Sequence, residues 1–271
     1  MPMPKLENYK DLNVVVAKLP CVQEGVRDLF WLQVNLVVAN LVVESGWVEN
    51  IDMIHKKVYV VFVGYCEPMI EIFRCDDLLM HEGEYLVYQP DLMRLKQKTL
   101  MPLGSCEIAP ISSISGKELQ PMGYTPKLAY VSVLHFSESY VCGAIALAQS
   151  ILQNKGNKVP TPDLVLLIDD SIGPNSIIGL KSAGWKIKHI KPISNPYSKN
   201  GSYNELNYSK LRIWQLTMYD KIIFMDSDIL VHKNIDEFFS YPQLSVGNSE
   251  YFSVFNSGLM IIEPSQCMLI I

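Results

Sequence analysis

The sequence predicts an α/β protein in two parts, and three patterns predict it. From Lys127 onward, short apolar runs rich in branched residues alternate with segments of helical period, the order that yields a parallel, doubly wound sheet. Before it lies Ile111 to Pro126, rich in Ser, Gly and Pro and without periodicity, which reads as a linker. Ahead of the linker a shorter alternation of strand and helix patterns predicts a smaller α/β region. The expected division is residues 1–123 and 124–271.

In chain order, Leu12 to Ala17 reads as a strand and Gly25 to Val43 as a helix with apolar positions near 3.6 spacing. Lys57 to Gly64 is a second strand, and Asp91 to Thr99 a helix whose polar face carries Arg94, Lys96 and Lys98. In the second part Leu128 to Leu134 is a strand, followed by a polar turn from His135 to Ser139 and a small-residue helix from Tyr140 to Leu152. Leu164 to Ile168 is a strand ending in Asp169 and Asp170. Asn175 to Ala183 is a helix, Trp185 to Ile190 a strand, and Tyr203 to Leu216 helical. Lys221 to Met225 then forms a buried strand of the parallel sheet. Crossovers of this length are right-handed.

Composition narrows the function classes. The chain has 271 residues, 49% hydrophobic and 19% charged, which is ordinary for a folded globular protein. A net charge of −5 without a basic run argues against nucleic acid as a partner. The longest apolar stretch, Val34 to Val43, holds Asn35 and Asn40 and is too short to span a bilayer, and the first ten residues lack a signal-peptide core. The chain as written therefore reads as soluble and cytoplasmic, with no membrane segment. Six cysteines show no CxxC pair, which argues against zinc. Cys142 and Cys267 read as packed small hydrophobes. Cys66 and Cys75 are spaced so that a lumenal disulfide is open to them, without the spacing deciding it. Cys75-Asp76-Asp77 reads as a helix start or surface pair, since adjacent carboxylates on a helix diverge.

The chemistry concentrates on the acidic strand. Asp226-Ser227-Asp228 follows it, and carboxylates at i and i+2 on extended backbone share a side. Crowded carboxylates at a strand's C-terminal end call for a hard divalent ion, Mn²⁺ or Mg²⁺, of the kind that bridges to phosphates. Upstream, Ser209 or Asn207 is expected to cap a helix whose start carries Lys210 and Arg212. Cations oppose the dipole there, which makes sense beside a phosphate or sugar carboxylate. Downstream, the triplet Asn256, Ser257 and Gly258 precedes an apolar strand and suits gripping a hydroxylated ligand, although alone it is a plain turn.

The order YSKLRIWQLTMYDKIIFMDSDILV, then NIDEFF, then FNSGLMIIEPS resembles the family 8 glycosyltransferases, the glycogenin-like group of GT-A fold. Leu128 to Ile151 also resembles that family's opening strand and helix. The N-terminal runs RDLFWLQVNLVVANL, EIFRCDDLL and PDLMRLKQKTLMPLGSCEIAP, with the Asn204 to Trp214 segment, look most like the plant enzymes that add glucuronic acid to xylan. The resemblance implies a Rossmann-like, mostly parallel GT-A sheet flanked by helices. It also implies retaining transfer from a UDP-sugar with Mn²⁺ on the diphosphate, a xylan acceptor and a Golgi location. By motif, Asp226 and Asp228 would hold metal and Asp226 also ribose. The Ser227 amide would meet the nucleotide, Lys210 the phosphate-sugar region, Asn256, Ser257 and Gly258 the sugar, and Tyr140 would stack on uracil.

The family's pattern continues past Ile271 with an acceptor-side aspartate and a histidine in an HxxGxxK-like segment, and the family's membrane anchor has no counterpart here. The resemblance thus also implies a shortened chain, with an apolar edge that favours aggregation unless a protein partner covers it. That leaves a second reading, an inactive relative that binds UDP or a partner. A third, a phosphohydrolase with Asp226 as nucleophile, places the motif too late, since such enzymes carry it on the first strand.

Overall fold

The computed structural model describes residues 12–20, 29–46, 57–99, 126–156 (without 136), 161–202, 204–241, 243–248, 255–265 and 267. All of the expected linker but Pro126 lies outside them, as does Tyr203. The chain forms two compact units, Met1–Tyr124 and Thr125–Ile271.

The first unit holds a four-stranded sheet of order β1-β2-β4-β3, from β1 (Val14–Lys18), β2 (Tyr59–Val63), β3 (Leu78–Glu82) and β4 (Tyr85–Tyr88). β1 and β2 are parallel, bridged in sequence by helix α1 (Leu29–Gly46), while β4 pairs antiparallel with both neighbours. At 18 residues, α1 is long and apolar enough by composition to cross a membrane. Here, however, Val34, Val38, Ala39 and Val42 pack with Val60, Phe62 and Phe73 in the unit's core. Its buried Asn35 is satisfied, donating to the Trp31 carbonyl at 2.8 Å and accepting from the Met69 amide at 3.0 Å. A polar residue inside a core survives when both halves of its amide are paired. β3 escapes the sequence reading because Leu79, Met80, His81 and Glu82 are all exposed, leaving no buried face to give a period of two; β4 alternates, with Leu86 and Tyr88 buried, but over only four residues.

The acidic pair of this unit is structural. Asp76 pairs with Arg74 at 2.6 Å, and both Asp77 oxygens accept from Arg94 Nη1 of α2 (Leu92–Thr99) at 3.0 and 3.2 Å. Cys66, Cys75 and Cys267 are disulfide-bonded, while Cys142 is an exposed free thiol. Neither Cys142 nor Cys267 is therefore the packed hydrophobe that its apolar neighbours in sequence predict.

The second unit holds a six-stranded sheet of order β7-β6-β5-β8-β10-β9. The strands are β5 (Leu128–Leu134), β6 (Asp163–Ile168), β7 (Lys186–His189), β8 (Lys221–Met225), β9 (Ser245–Asn248) and β10 (Phe255–Ile262). The four strands from β7 to β8 run parallel; β10 is antiparallel to β8, and β9 to β10. The sheet is thus mostly parallel, with an antiparallel flank where the sequence reading had only a further strand. Helices α3 (Val141–Gln153) and α4 (Pro174–Ser182) contribute Ala144, Leu147, Ala148, Ile151 and Leu180 to one face. Ile213, Trp214 and Leu216 cover the other.

One polar contact sits inside this packing. Tyr130, at the middle of β5, donates its hydroxyl to the buried Asp236 carboxylate through a short hydrogen bond. Burial, the bond to Asp236 and the carboxylate's charge all raise the phenol's pKa, so it stays a donor. Tyr130→Phe leaves that carboxylate oxygen unpaired, and we expect a loss of about 1–3 kcal/mol, read as a lower urea midpoint at unchanged slope. An unmoved midpoint would show that the contact carries no stability.

Candidate functional site

The chain runs from β5 outward to β6 and β7, then returns to lay β8 on the other flank of β5. That reversal makes the C-terminal ends of β5 and β8 a topological switch point, the crevice where open α/β sheets take ligands. Four predicted residues meet there. Lys210 Nζ lies 2.8 and 2.9 Å from the two Asp226 oxygens, 3.5 Å from Ser257 Oγ, and 5.5 Å from the centre of the Phe224 ring. The Asp226 amide donates to the Gly258 carbonyl at 2.8 Å, tying the acidic turn to β10.

The acidic tripeptide differs from its expected geometry. β8 ends at Met225, and the chain turns at once, with the Ile229 amide donating to the Asp226 carbonyl at 3.2 Å. The two carboxylates are therefore not a same-side pair on extended backbone. Asp226 is half-buried on Lys210, Ser227 is buried, and Asp228 is exposed. Helix α3 packs on this turn through Gly143, where a Cβ would stand 2.6 Å from the Ser227 carbonyl oxygen.

Asn256, Ser257 and Gly258 lie within β10 rather than in a turn before it. Asn256 faces Gly247 of β9, yet Met260 faces Val246, so four steps along β10 correspond to one along β9. Pairing with β8 begins at Leu259. The chain thus bulges between Asn256 and Met260, taking in Ser257 and Gly258, and bulges of this kind re-aim side chains beside active sites. The Asn256 side chain accepts from the Gly258 amide at 2.8 Å, and a Cβ at Gly258 would stand 2.9 Å from that same Asn256 Oδ1 and 3.3 Å from Asp226 Oδ2.

Residues 207–215 form a 3-10 helix, not the α-helix expected, and no side chain caps it. Ser209 Oγ instead accepts from the Ile193 amide at 3.0 Å, and the Asn207 side chain bonds Asn204 at 2.8 Å. Three residues per turn set Lys210 and Arg212 on diverging sides. Arg212 accordingly leaves the cluster: its Nε donates to the Lys191 carbonyl at 2.9 Å, and it lines a recess of about 430 Å³ with Lys188, His189 and Gln215. Tyr140 is exposed, six residues beyond the end of β5, at the end of the 3-10 turn Glu138–Tyr140.

His135, read only as part of a polar turn, belongs to the cluster. It is the first residue beyond β5, and because Leu134 pairs with Ile168, His135 and Asp169 leave the sheet side by side. Its Nδ1 is shut off from solvent with no hydrogen-bond partner. Burial lowers its pKa; Asp169 and Asp226 pull it up, while Lys210 pushes it further down, and the net shift is downward. The imidazole is neutral at pH 7. Position at the end of the unit's first strand was the available signal.

Among the described residues no three His, Cys, Asp or Glu side chains converge as a metal site. Asp226 alone is shown facing a cation, and Mg²⁺ or Mn²⁺ can bind through one or two carboxylates and complete their shells with water and substrate phosphate. The grip of both Asp226 oxygens on an ammonium group shows that this carboxylate already faces a cation.

Residues 131–248 match the family described as Glycosyl transferase family 8, and residues 1–106 the GUX1-5 N-terminal domain. Five Arabidopsis thaliana proteins named as UDP-glucuronate:xylan alpha-glucuronosyltransferases 1 to 5, three of them provisionally, are 39% to 52% identical to this chain. Number 5 is 52% identical over 99% of this chain and 49% of its own length; number 2 is 46% identical over 98% and 45%. The chain therefore spans about half the length of these relatives. A crystal structure of the Streptococcus pneumoniae glycosyltransferase GlyE aligns over 52% of this chain and 35% of its own, at 19% identity and a TM-score of 0.36.

Proposed function

This chain carries a family 8 glycosyltransferase domain behind a GUX1-5 N-terminal domain, and from that premise we propose that it forms the donor-binding part of a retaining glucuronosyltransferase. The donor is UDP-glucuronate and the acceptor xylan, as in the names of its plant relatives. The observation that carries this reading is the meeting of Lys210, Asp226 and Ser257 at the switch point.

Asp226 and Asp228 hold the divalent ion, Mn²⁺ or Mg²⁺. When bound, it supplies positive charge beside the departing diphosphate. Lys210 turns from Asp226 to the phosphate and offsets the charge that gathers as the bond from the anomeric carbon to the phosphate oxygen breaks. Ser257, freed from the ladders by the bulge, and Asn256 at its edge bind sugar hydroxyls, and Gly258 lets the donor approach the backbone. The Ser227 amide meets the nucleotide and Tyr140 stacks on the base. The acceptor hydroxyl adds to the anomeric carbon on the face UDP leaves, giving up its proton to the departing phosphate oxygen as the glycosidic bond forms. Three disulfide-bonded cysteines favour an oxidising compartment and so a lumenal Golgi setting. The phosphohydrolase reading is disfavoured because β5, β6 and β7 all precede the acidic turn.

Calorimetric titration of UDP with and without Mn²⁺ tests the site. Binding should require Mn²⁺ and weaken at least about tenfold in Asp228→Asn, since a charged ligand to the ion is lost. Binding that ignores both the ion and the substitution would overturn the donor site. Glucuronate transfer to xylan oligosaccharides then separates the named substrates from others.

A further inference from the structure

We propose that the recess beside Arg212 is a second saccharide site, separate from the donor site, which binds the carboxylate of a uronic-acid sugar carried on a polysaccharide. This rests on the reading above, because glucuronate transfer leaves xylan carrying such carboxylates.

Arg212 is the cation that the donor cluster leaves unused. Its Nε bond to the Lys191 carbonyl fixes the half-buried guanidinium to the backbone, and its two Nη groups have no partner among the described residues. Lys188 pairs in register with Leu167, so both point to the sheet face on which Ile213 and Leu216 pack. The recess there, about 430 Å³, falls within the range of about 300–1,000 Å³ usual for small-ligand sites. Leu167, Ile190 and Leu216 give it an apolar floor, and the exposed Lys188 and Lys191 stand at its rim with Arg212. Among the described residues no carboxylate pairs with these three cations: Asp163 is held by Lys186 and Tyr219, and Asp170 stands 3.8 Å from His189.

In a chain of net charge −5, three unpaired cations around one recess call for an anionic ligand. The planar fork of Arg212 matches a carboxylate, the apolar floor suits the C–H face of a sugar ring, and the Gln215 amide can bond a hydroxyl. The recess lies against β6 and β7, whereas the donor cluster lies against β8 and β10. β7 is three strand spacings, about 14 Å, from β8. Lys210 and Arg212 thus serve two places from one helix.

Titration of the full chain, without UDP or Mn²⁺, tests this with three probes: xylan oligosaccharides bearing one glucuronate, the same oligosaccharides with that carboxyl reduced to an alcohol, and inorganic phosphate. The glucuronate form should bind at least about tenfold more tightly than the reduced form, because a hydrogen-bonded charge is lost on reduction. Arg212→Gln should abolish that preference and Lys188→Gln should cut it about threefold, while Mn²⁺-dependent UDP binding stays within about twofold in both. Equal binding of the two oligosaccharides, or a preference that survives both substitutions, would overturn the proposal. So would displacement of the oligosaccharide by phosphate at similar concentration, which marks a site for any oxyanion, or a parallel loss of UDP binding, which merges the two sites. A parent chain that prefers the glucuronate form through Arg212 yet binds no UDP would overturn the donor-site reading and leave the recess standing. Should Arg212→Gln fail to fold, Lys188→Gln carries the test.

Discussion

Gly143→Ala removes Mn²⁺-dependent UDP binding from a chain that still folds. Helix propensity taken alone points the other way, because alanine inside a helix is favoured over glycine by roughly 1 kcal/mol. The contact at this position decides the sign. The added methyl carbon would stand 2.6 Å from the Ser227 carbonyl oxygen and 3.5 Å from its carbon, both backbone atoms that no side-chain rotation can move aside. Either α3 lifts or the acidic turn shifts, and overpacking of this kind costs about 1–3 kcal/mol. The turn carries Asp226 and Asp228, so its displacement separates Asp226 from Lys210 and from β10. Calorimetry with UDP and Mn²⁺ should show affinity lost by at least about a hundredfold, with the circular dichroism of the parent retained. Full affinity in Gly143→Ala would mean that the turn adapts freely and that its position is not what the site depends on.

The second large effect is at Lys210. In Lys210→Met the group that would face the diphosphate is gone, and transfer should fall by about a hundredfold or more, as for loss of a single charge-stabilising donor. Stability should change little, because an exposed or half-exposed ion pair contributes at most about 1 kcal/mol. The informative readout is metal binding without nucleotide. In the resting chain the ammonium sits on both Asp226 oxygens and competes with any ion for them. Removing it should strengthen Mn²⁺ binding in the absence of UDP while weakening UDP binding in the presence of Mn²⁺. Opposite signs in one variant are difficult to obtain from misfolding. A parallel loss of both affinities would argue that Lys210 only props the turn.

Much of the second unit was legible because burial there is two-sided. Leu128–Leu134 and Lys221–Met225 are buried at every position, so runs that are apolar but for Ser132 and the leading Lys221 mark the strands. The acidic turn and Lys210 were legible as residue types, and their meeting followed from the order of elements. What escaped lacked a one-dimensional trace. A 3-10 helix and an α-helix share composition, so the helix type of residues 207–215 shows only in space, whereas Lys210 and Arg212, two positions apart, diverge in either. Asn256, Ser257 and Gly258 look like a turn because a bulge uses the same residues that turns use. His135 is a single histidine, and its significance depends on Asp169, Lys210 and Asp226, which lie 34, 75 and 91 positions away by their numbering.

The slack in β10 also bears on how such a site changes over evolutionary time. A side chain inside a ladder is constrained by its cross-strand neighbours, and replacing it risks the register of the sheet. Ser257 is spared that constraint, because it lies among the three extra residues that the bulge places between Asn256 and Met260. Lineages, and engineers, can therefore exchange this position to accept a different sugar while β8 and β10 keep their pairing from Leu259 onward. Gly258 is excluded from that freedom, since its carbonyl anchors Asp226 and its missing side chain leaves the carboxylate room.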